Sequence, residues 1–363
     1  MDFPPVNEIV GYLNKFAQPA LAYDWDNVGF QIGDANHSVK KILLTLDVTE
    51  NAIDKALAEN CDLIISHHPF IFRPLKKITN PLYLKLIKND IAVYCAHTNL
   101  DLVQGGVNTI LAEKLGLQNC RFISQDTASK SIQMAVYVPE NAANQVAEAI
   151  LKAGAGKIGN YSDCLNTLPV DGQFRPLAES KPYLGTPHKL EKVKEIKLEF
   201  FVESINLPNT IKAMQRSHPY ETPVYALYPQ KQSKNFGLGL IGDLAAPEMM
   251  SDFAQRVKRE LAAPTLNLWP AKYSTAKQIS RVAVCGGSGS SLLPKLTGQA
   301  DIFVSADFTY HTILESKLPL IDAGHFYTEY PVLQVLENLL KKFDCEIIRL
   351  TPAEHEISHL QQI

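Results

Sequence analysis

Histidine and carboxylate recur in one arrangement near each end of this 363-residue chain. One apolar run closes on Ser66-His67-His68, and a later one on His97-Thr98-Asn99-Leu100-Asp101. Towards the other end, Ser305-Ala306-Asp307 precedes His325-Phe326-Tyr327-Thr328-Glu329. Each half thus offers a histidine with a carboxylate four residues on, directly after an apolar strand. On a first helical turn that spacing points both side chains the same way, so Asp101 is expected to follow His97 and Glu329 to follow His325. If the halves pack face to face, three or four imidazoles and two carboxylates converge. Imidazole with carboxylate suits zinc, manganese, iron or cobalt, and the lack of nearby thiolates argues against a cysteine-type structural zinc site. Adjacent histidines can each serve one ion of a pair, and a carboxylate such as Glu329 can bridge ions held roughly 3.5–4 Å apart. Any one of these pieces alone also fits a hydrogen-bonded histidine or a helix-capping ion pair. Their joint occurrence is what points to metal.

Such residues need elements that deliver them to one place. A helix is predicted over 6–16, with Val6, Ile9, Val10, Leu13 and Phe16 on one stripe, followed by a turn-rich segment at 23–29. The pattern then alternates: strand 42–46, helix 51–59, strand 62–65, helix 83–88, strand 91–95, helix 107–115. The C-terminal stretch repeats it with strand 281–285, helix 291–296, strand 301–305, helix 310–315, strand 318–322 and helix 330–341. Alternation of this kind implies βαβ units and a largely parallel, covered sheet. In open α/β sheets ligands gather beyond the carboxyl ends of strands, where His67, His68, His97, Asp101, Asp307, His325 and Glu329 all fall. Residues 62–68 align with 301–307, and 92–97 with 320–325, which reads as an internal two-fold.

Between the halves the texture changes. Strands at 133–138 and 194–202 are each followed by a helix, at 144–152 and 209–217. A long Gly/Pro-rich loop, 154–189, separates the pairs, with a short hairpin expected around Phe174. This order reads as an inserted α+β ferredoxin-like module. The fold class is therefore α/β: a core of two halves, 1–128 and 233–363, carrying an insert at 129–232.

The segment Gly286-Gly287-Ser288-Gly289 links a strand to a helix, where backbone amides can cradle a phosphate or carboxylate. It lacks the P-loop lysine and the G-x-G-x-x-G spacing, and a tight structural turn accounts for it equally well. His311 follows Asp307 by four residues, as an orienting partner or as pocket lining. His37, His188, His355 and His359 lie in polar loops or the tail and read as surface residues. No Ser-His-Asp order or G-x-S-x-G elbow is present, and Cys61 and Cys95 read as core-strand thiols.

Composition narrows the class of function. Hydrophobic residues make up 46% and charged residues 20%, as in ordinary globular proteins. A net charge of -3 and the lack of a basic run argue against direct nucleic-acid binding. The N-terminal residues lack signal-peptide character and no apolar run spans a bilayer. Six cysteines without a C-x-x-C pair argue against a disulfide framework and favour the cytoplasm.

Taken together, Ser66-His67-His68-Pro69, residues 96–101 and residues 322–329 resemble the Nif-three-like family, whose members often carry the name GTP cyclohydrolase 1 type 2 homologue. The resemblance extends to Trp25-Asp26-Asn27-Val28-Gly29, Gly286-Gly287-Ser288-Gly289, Gly159-Asn160-Tyr161 and His218-Pro219-Tyr220-Glu221, and so covers nearly the whole chain. It implies a dinuclear site built from His67, His68, Asp101, His325 and Glu329, with His97 in or beside it. It also implies a hexameric ring of identical chains and an insert similar to PII/CutA-like modules. Where many relatives read Thr-Gly-Asp, this chain has Ser305-Ala306-Asp307, whose extra Cβ could tighten the turn.

The expectation is a protein holding two divalent ions (zinc, iron or manganese) and hydrolysing a phosphorylated or nucleotide-like substrate. His97 would move the proton, and Gly286–Gly289, Asp307 and His311 would contact the substrate. The rival is a metal-handling or sensing protein without chemistry, with a scaffold a distant third.

Overall fold

Short runs such as Leu63–Ser66 and Ala92–Cys95 have no polar face, so a sheet that contains them must be covered on both sides. The computed structural model describes residues 3–125, 131–159, 161–203, 206–229 and 236–356; Asn160 and His359 lie outside them. The chain forms two compact units, Met1–Ala128 with Asn235–Ile363, and Ser129–Lys234.

The first unit holds two sheets. One contains β1 (Gly29–Ile32), β2 (Lys41–Thr45), β3 (Leu63–Ser66), β4 (Ala92–Cys95) and β15 (Glu346–Arg349), in the order β1-β4-β3-β2-β15. All neighbours are parallel except β1, which runs antiparallel along the β4 edge. Alternate strand residues serve opposite faces. Ile42, Leu44, Ile65 and Tyr94 pack with the helices Val6–Phe16 and Val332–Leu340. Leu43, Ile64 and Val93 pack with Glu50–Ala58 and Pro81–Lys88.

The other sheet contains β5 (Gln118–Ser124), β10 (Leu238–Met249), β11 (Asn267–Trp269), β12 (Gln278–Ser288), β13 (Ile302–Ala306) and β14 (Leu320–Asp322), in the order β11-β14-β13-β12-β10-β5. Its β12, β13 and β14 are parallel, and β11 lies antiparallel on the β14 edge. In each sheet a run of three parallel strands, β2-β3-β4 or β12-β13-β14, carries an antiparallel edge strand on its last member, as the internal repeat requires. The halves also exchange strands. β5, from the N-terminal stretch, pairs with β10, and β15, from the C-terminal stretch, pairs with β2.

The second unit is β6 (Ser131–Pro139), helix Ala143–Lys152, β7 (Leu165–Phe174), β8 (Glu191–Glu203), helix Leu207–Ser217 and β9 (Tyr225–Pro229). The sheet order β7-β8-β6-β9, antiparallel throughout, is that of a ferredoxin-like module. Val146, Ile150 and Met214 of its helices close over Met134, Val136, Leu198 and Phe200. One expectation is corrected: in place of the short hairpin expected around Phe174, ten residues of 154–189 form β7, paired along its length with β8. Pro169 and Gly172 disguise the strand, and both are tolerated because β7 is an edge.

Candidate metal centre

Strand ends deliver the cluster. β3 runs into His67 and His68, β4 into His97, β13 into Asp307, and β14 into the helix His325–Glu329. In all four imidazoles Nδ1 is held by an oxygen. His67 Nδ1 donates to the Ala96 carbonyl at 2.8 Å, His68 to Asp47 at 2.8 Å, His97 to Asp26 at 2.9 Å and His325 to Asp307 at 2.5 Å. Fixing Nδ1 in this way sets the ring orientation and leaves Nε2 as the nitrogen available to a metal.

The Nε2 atoms of three of these rings converge on Glu329. Its Oε2 lies 3.0 Å from His68 Nε2 and 3.1 Å from His325 Nε2, while Oε1 faces His67 Nε2 at 3.8 Å. Asp101 Oδ1 is 3.5 Å from His67 Nε2. Three groups have ligand atoms within 4.8 Å of one another: His68, His325 and Glu329; His67, Asp101 and Glu329; and His67, His68 and His97. Glu329 belongs to two of them, one through each oxygen's side of the carboxylate.

The electrostatics suit a cation. Burial favours the neutral form of Glu329, but His67, His325 and His68 hold its carboxyl well below the usual range. Burial would lower the His68 imidazole, yet Asp47 and Glu329 carry it up to about 10, and in the same way Glu329 and Asp307 carry His325 to about 9. Burial raises the Asp101 carboxyl. His67 Nε2 and Asp101 Oδ1 are buried without a hydrogen-bond partner. Leaving such atoms unpaired costs about 1–3 kcal/mol each. A divalent ion between them would satisfy both, so the residues present fit a metal.

Two carboxylates were missed from sequence. Asp47 follows the end of β2 and aligns His68. Asp26 aligns His97 and also accepts from the Thr98 amide (3.1 Å) and hydroxyl (2.5 Å). Burial opposes its ionisation, but His97 and Thr98 pull its pKa down to about 2. The same strand-end rule that found His67 reaches Asp47, whereas Asp26 sits in a turn with no periodic signal.

Other expected residues behave differently. The amides of Gly286, Gly287 and Gly289 donate to Asn108, Thr328 and Ser305 at 2.9–3.0 Å, as a structural turn requires. Gly287, at φ 59°, presses on the cluster: a Cβ there would overlap Glu329 Oε1 and stand 3.0 Å from His325 Nε2. Ala306 is buried, and Asp307 takes the left-handed turn at φ 56°. His311 is exposed against Tyr310 and joins none of the three groups. His355 is corrected from surface to core. It donates to the Thr351 carbonyl at 2.9 Å, accepts from the Leu46 amide at 3.4 Å, and packs on Phe326 and Tyr330. A cavity of about 510 Å³ opens beside His68 and His325, with Asp47, Thr49, Phe326 and His355 in its wall.

No helix among the described residues is long and apolar enough to cross a membrane. The family model for Duf34/NIF3 (NGG1p interacting factor 3) matches residues 4–355. A Halalkalibacterium halodurans protein named GTP cyclohydrolase 1 type 2 homolog is 37% identical over 355 residues, 94% of this chain and 95% of that one. A Bacillus subtilis protein of the same name is 39% identical, covering 88% and 87%. Among solved structures, a Bacillus cereus protein related to NIF3 superposes with a TM-score of 0.67 at 34% identity, over 97% of this chain and 98% of that one. A Staphylococcus aureus protein does so with a TM-score of 0.73 at 26% identity, over the whole of both. Matched over almost its whole length by the family model and by curated relatives at 37–39% identity, this chain belongs to the Duf34/NIF3 family.

Proposed function

We propose that this chain holds two divalent ions, zinc, iron or manganese, and uses them to hydrolyse a small phosphorylated or nucleotide-like substrate. The carrying observation is the Glu329 carboxylate, shared between the His68–His325 pair and the His67–Asp101 pair. One ion would be held by each pair, with Glu329 between. Bound there, the ions supply Lewis-acid activation of water and of a substrate oxygen. His97, oriented by Asp26, takes up a proton and hands it on. Asp307 orients His325, and the substrate would contact Asp307 and the exposed Ser288 and His311. The shared name of the relatives makes GTP the first nucleotide to try. The family resemblance adds a homohexamer to this reading, which light scattering tests.

The experiment is elemental analysis of protein purified without added metal, wild type beside Glu329→Ala, followed by a nucleotide hydrolysis panel. Two ions per chain, lost in the variant, with turnover that tracks the ions, is the expected result. No metal even after reconstitution would overturn it. A second reading, metal handling without chemistry, is favoured by the 40% exposure of the His325 side chain, which leaves one ligand open to exchange. Full metal with no turnover across the panel would select it.

A further inference from the structure

The His218-Pro219-Tyr220-Glu221 segment belongs to none of the metal-binding groups, yet it organises the inserted unit around a cavity of about 490 Å³. His218 is buried and has both nitrogens engaged: Nε2 donates to the Tyr137 carbonyl at 2.9 Å and Nδ1 accepts from the Tyr220 amide at 3.0 Å. This holds the Tyr220 ring as one wall. Phe174 and Tyr183 stand 6.0 and 6.4 Å from it, tilted by 56° and 55°. The Tyr220 hydroxyl donates to Glu195 Oε1 at 2.9 Å. Glu195 can lie across β7 because the residue there is Gly172, where a Cβ would overlap Glu195 Oε2. Glu221 accepts from the Lys181 amide at 3.0 Å and ties the β7–β8 connection to the same cavity.

The charge of this cavity is one-sided. Asp171, Glu195 and Glu221 line it, and among the described residues no Lys, Arg or His does. Asp171 is paired with Lys194, but no basic side chain among the described residues pairs with Glu195. Largely apolar walls with a few placed polar groups are the character of a small-molecule site. Tilted aromatic faces attract a cation through their quadrupoles, and a half-buried carboxylate gains most from a counter-charge that does not need water.

We infer that this cavity binds an organic cation, a methylated ammonium group on a small body, with Tyr220, Phe174 and Tyr183 around the cation and Glu195 as its counter-charge. The test titrates the full chain by calorimetry with choline and with its neutral isostere, in which a tert-butyl group replaces the trimethylammonium. Choline is expected to saturate one site per chain and to bind about tenfold tighter than the isostere. Glu195→Gln keeps the volume and the acceptor for Tyr220 and is expected to abolish that preference, and Tyr220→Ala to abolish binding, with metal content unchanged in both. Equal affinity for the two compounds, no saturable binding of choline, or unchanged choline affinity in Glu195→Gln would each overturn the inference.

Discussion

The two histidine–carboxylate steps have the same spacing and different geometry. His325 is the first residue of its helix, entered from Gly324 at φ 83°, and its Nε2 meets Glu329 one turn on at 3.1 Å. His97 is the residue before its helix, at φ -110° and ψ -108°. Lying outside the helix, it is not subject to the i,i+4 rule. Its ring turns to Asp26, and Asp101 is left to face His67 instead. An offset of one residue relative to the helix start therefore separates a histidine that closes on its own carboxylate from one that turns to a remote carboxylate. Spacing names the candidates; the cap residue decides what they do.

The sharpest way to break this comparison is to delete each carboxylate. Glu329→Ala is expected to empty the site, whereas Asp101→Ala leaves one ion per chain, because only Glu329 serves both pairs; elemental analysis of the two variants reads the difference. If both retain the same content, the bridge is wrong. A smaller effect is expected at the orienting carboxylates. Asp307→Asn should weaken metal binding by about 10–100-fold, the usual cost of losing a ligand's partner. Asp26→Asn should leave metal content intact and lower turnover, seen by comparing metal titration with steady-state rates.

Next comes Gly324→Ala. A left-handed residue bearing a Cβ costs about 1–2 kcal/mol, and that Cβ would stand 3.1 Å from Tyr327. A lowered Tm is expected for this variant, and none for a Thr98→Ser change at the other helix start.

The smallest effect is a difference in acid response in chelated protein. Burial lowers the His355 pKa below its ordinary 6.5, so its contribution is complete above 6.5 and is lost as pH falls through the lower folded value. Asp26, held at about 2 against an ordinary 3.8, contributes fully above 3.8 and loses that as pH falls through about 2. On acidification from 6.5 to 3.8, amides of 325–330 should lose hydrogen-exchange protection before those of 98–102. Simultaneous loss would show that the two steps share their support.

Much of this was legible because parallel, doubly covered strands are written as unbroken apolar runs. β2, β3, β4 and β13 carry that signature, and the residues just beyond β3, β4, β13 and β14 gave the cluster. β5 was not legible, since most of its residues are exposed or half-buried, and β7 was masked by Pro169 and Gly172. Asp47 went unnoticed, and Asp26 was read only as part of a turn motif, because an orienting carboxylate needs only a position, not a pattern. His355 looked like tail because its partners, Leu46 and Phe326, are remote in sequence.

The strand exchange bears on how the molecule is made. During synthesis the β2 edge of the first sheet stays open until residues 346–349 emerge and pair with it, some 300 positions later. Unpaired edges of this kind recruit other chains, and pairings so distant in sequence form slowly. Lys41 at the start of β2 and its ion pair with Glu346 at 3.1 Å place a charge on that edge, which discourages the wrong strand and marks the right one.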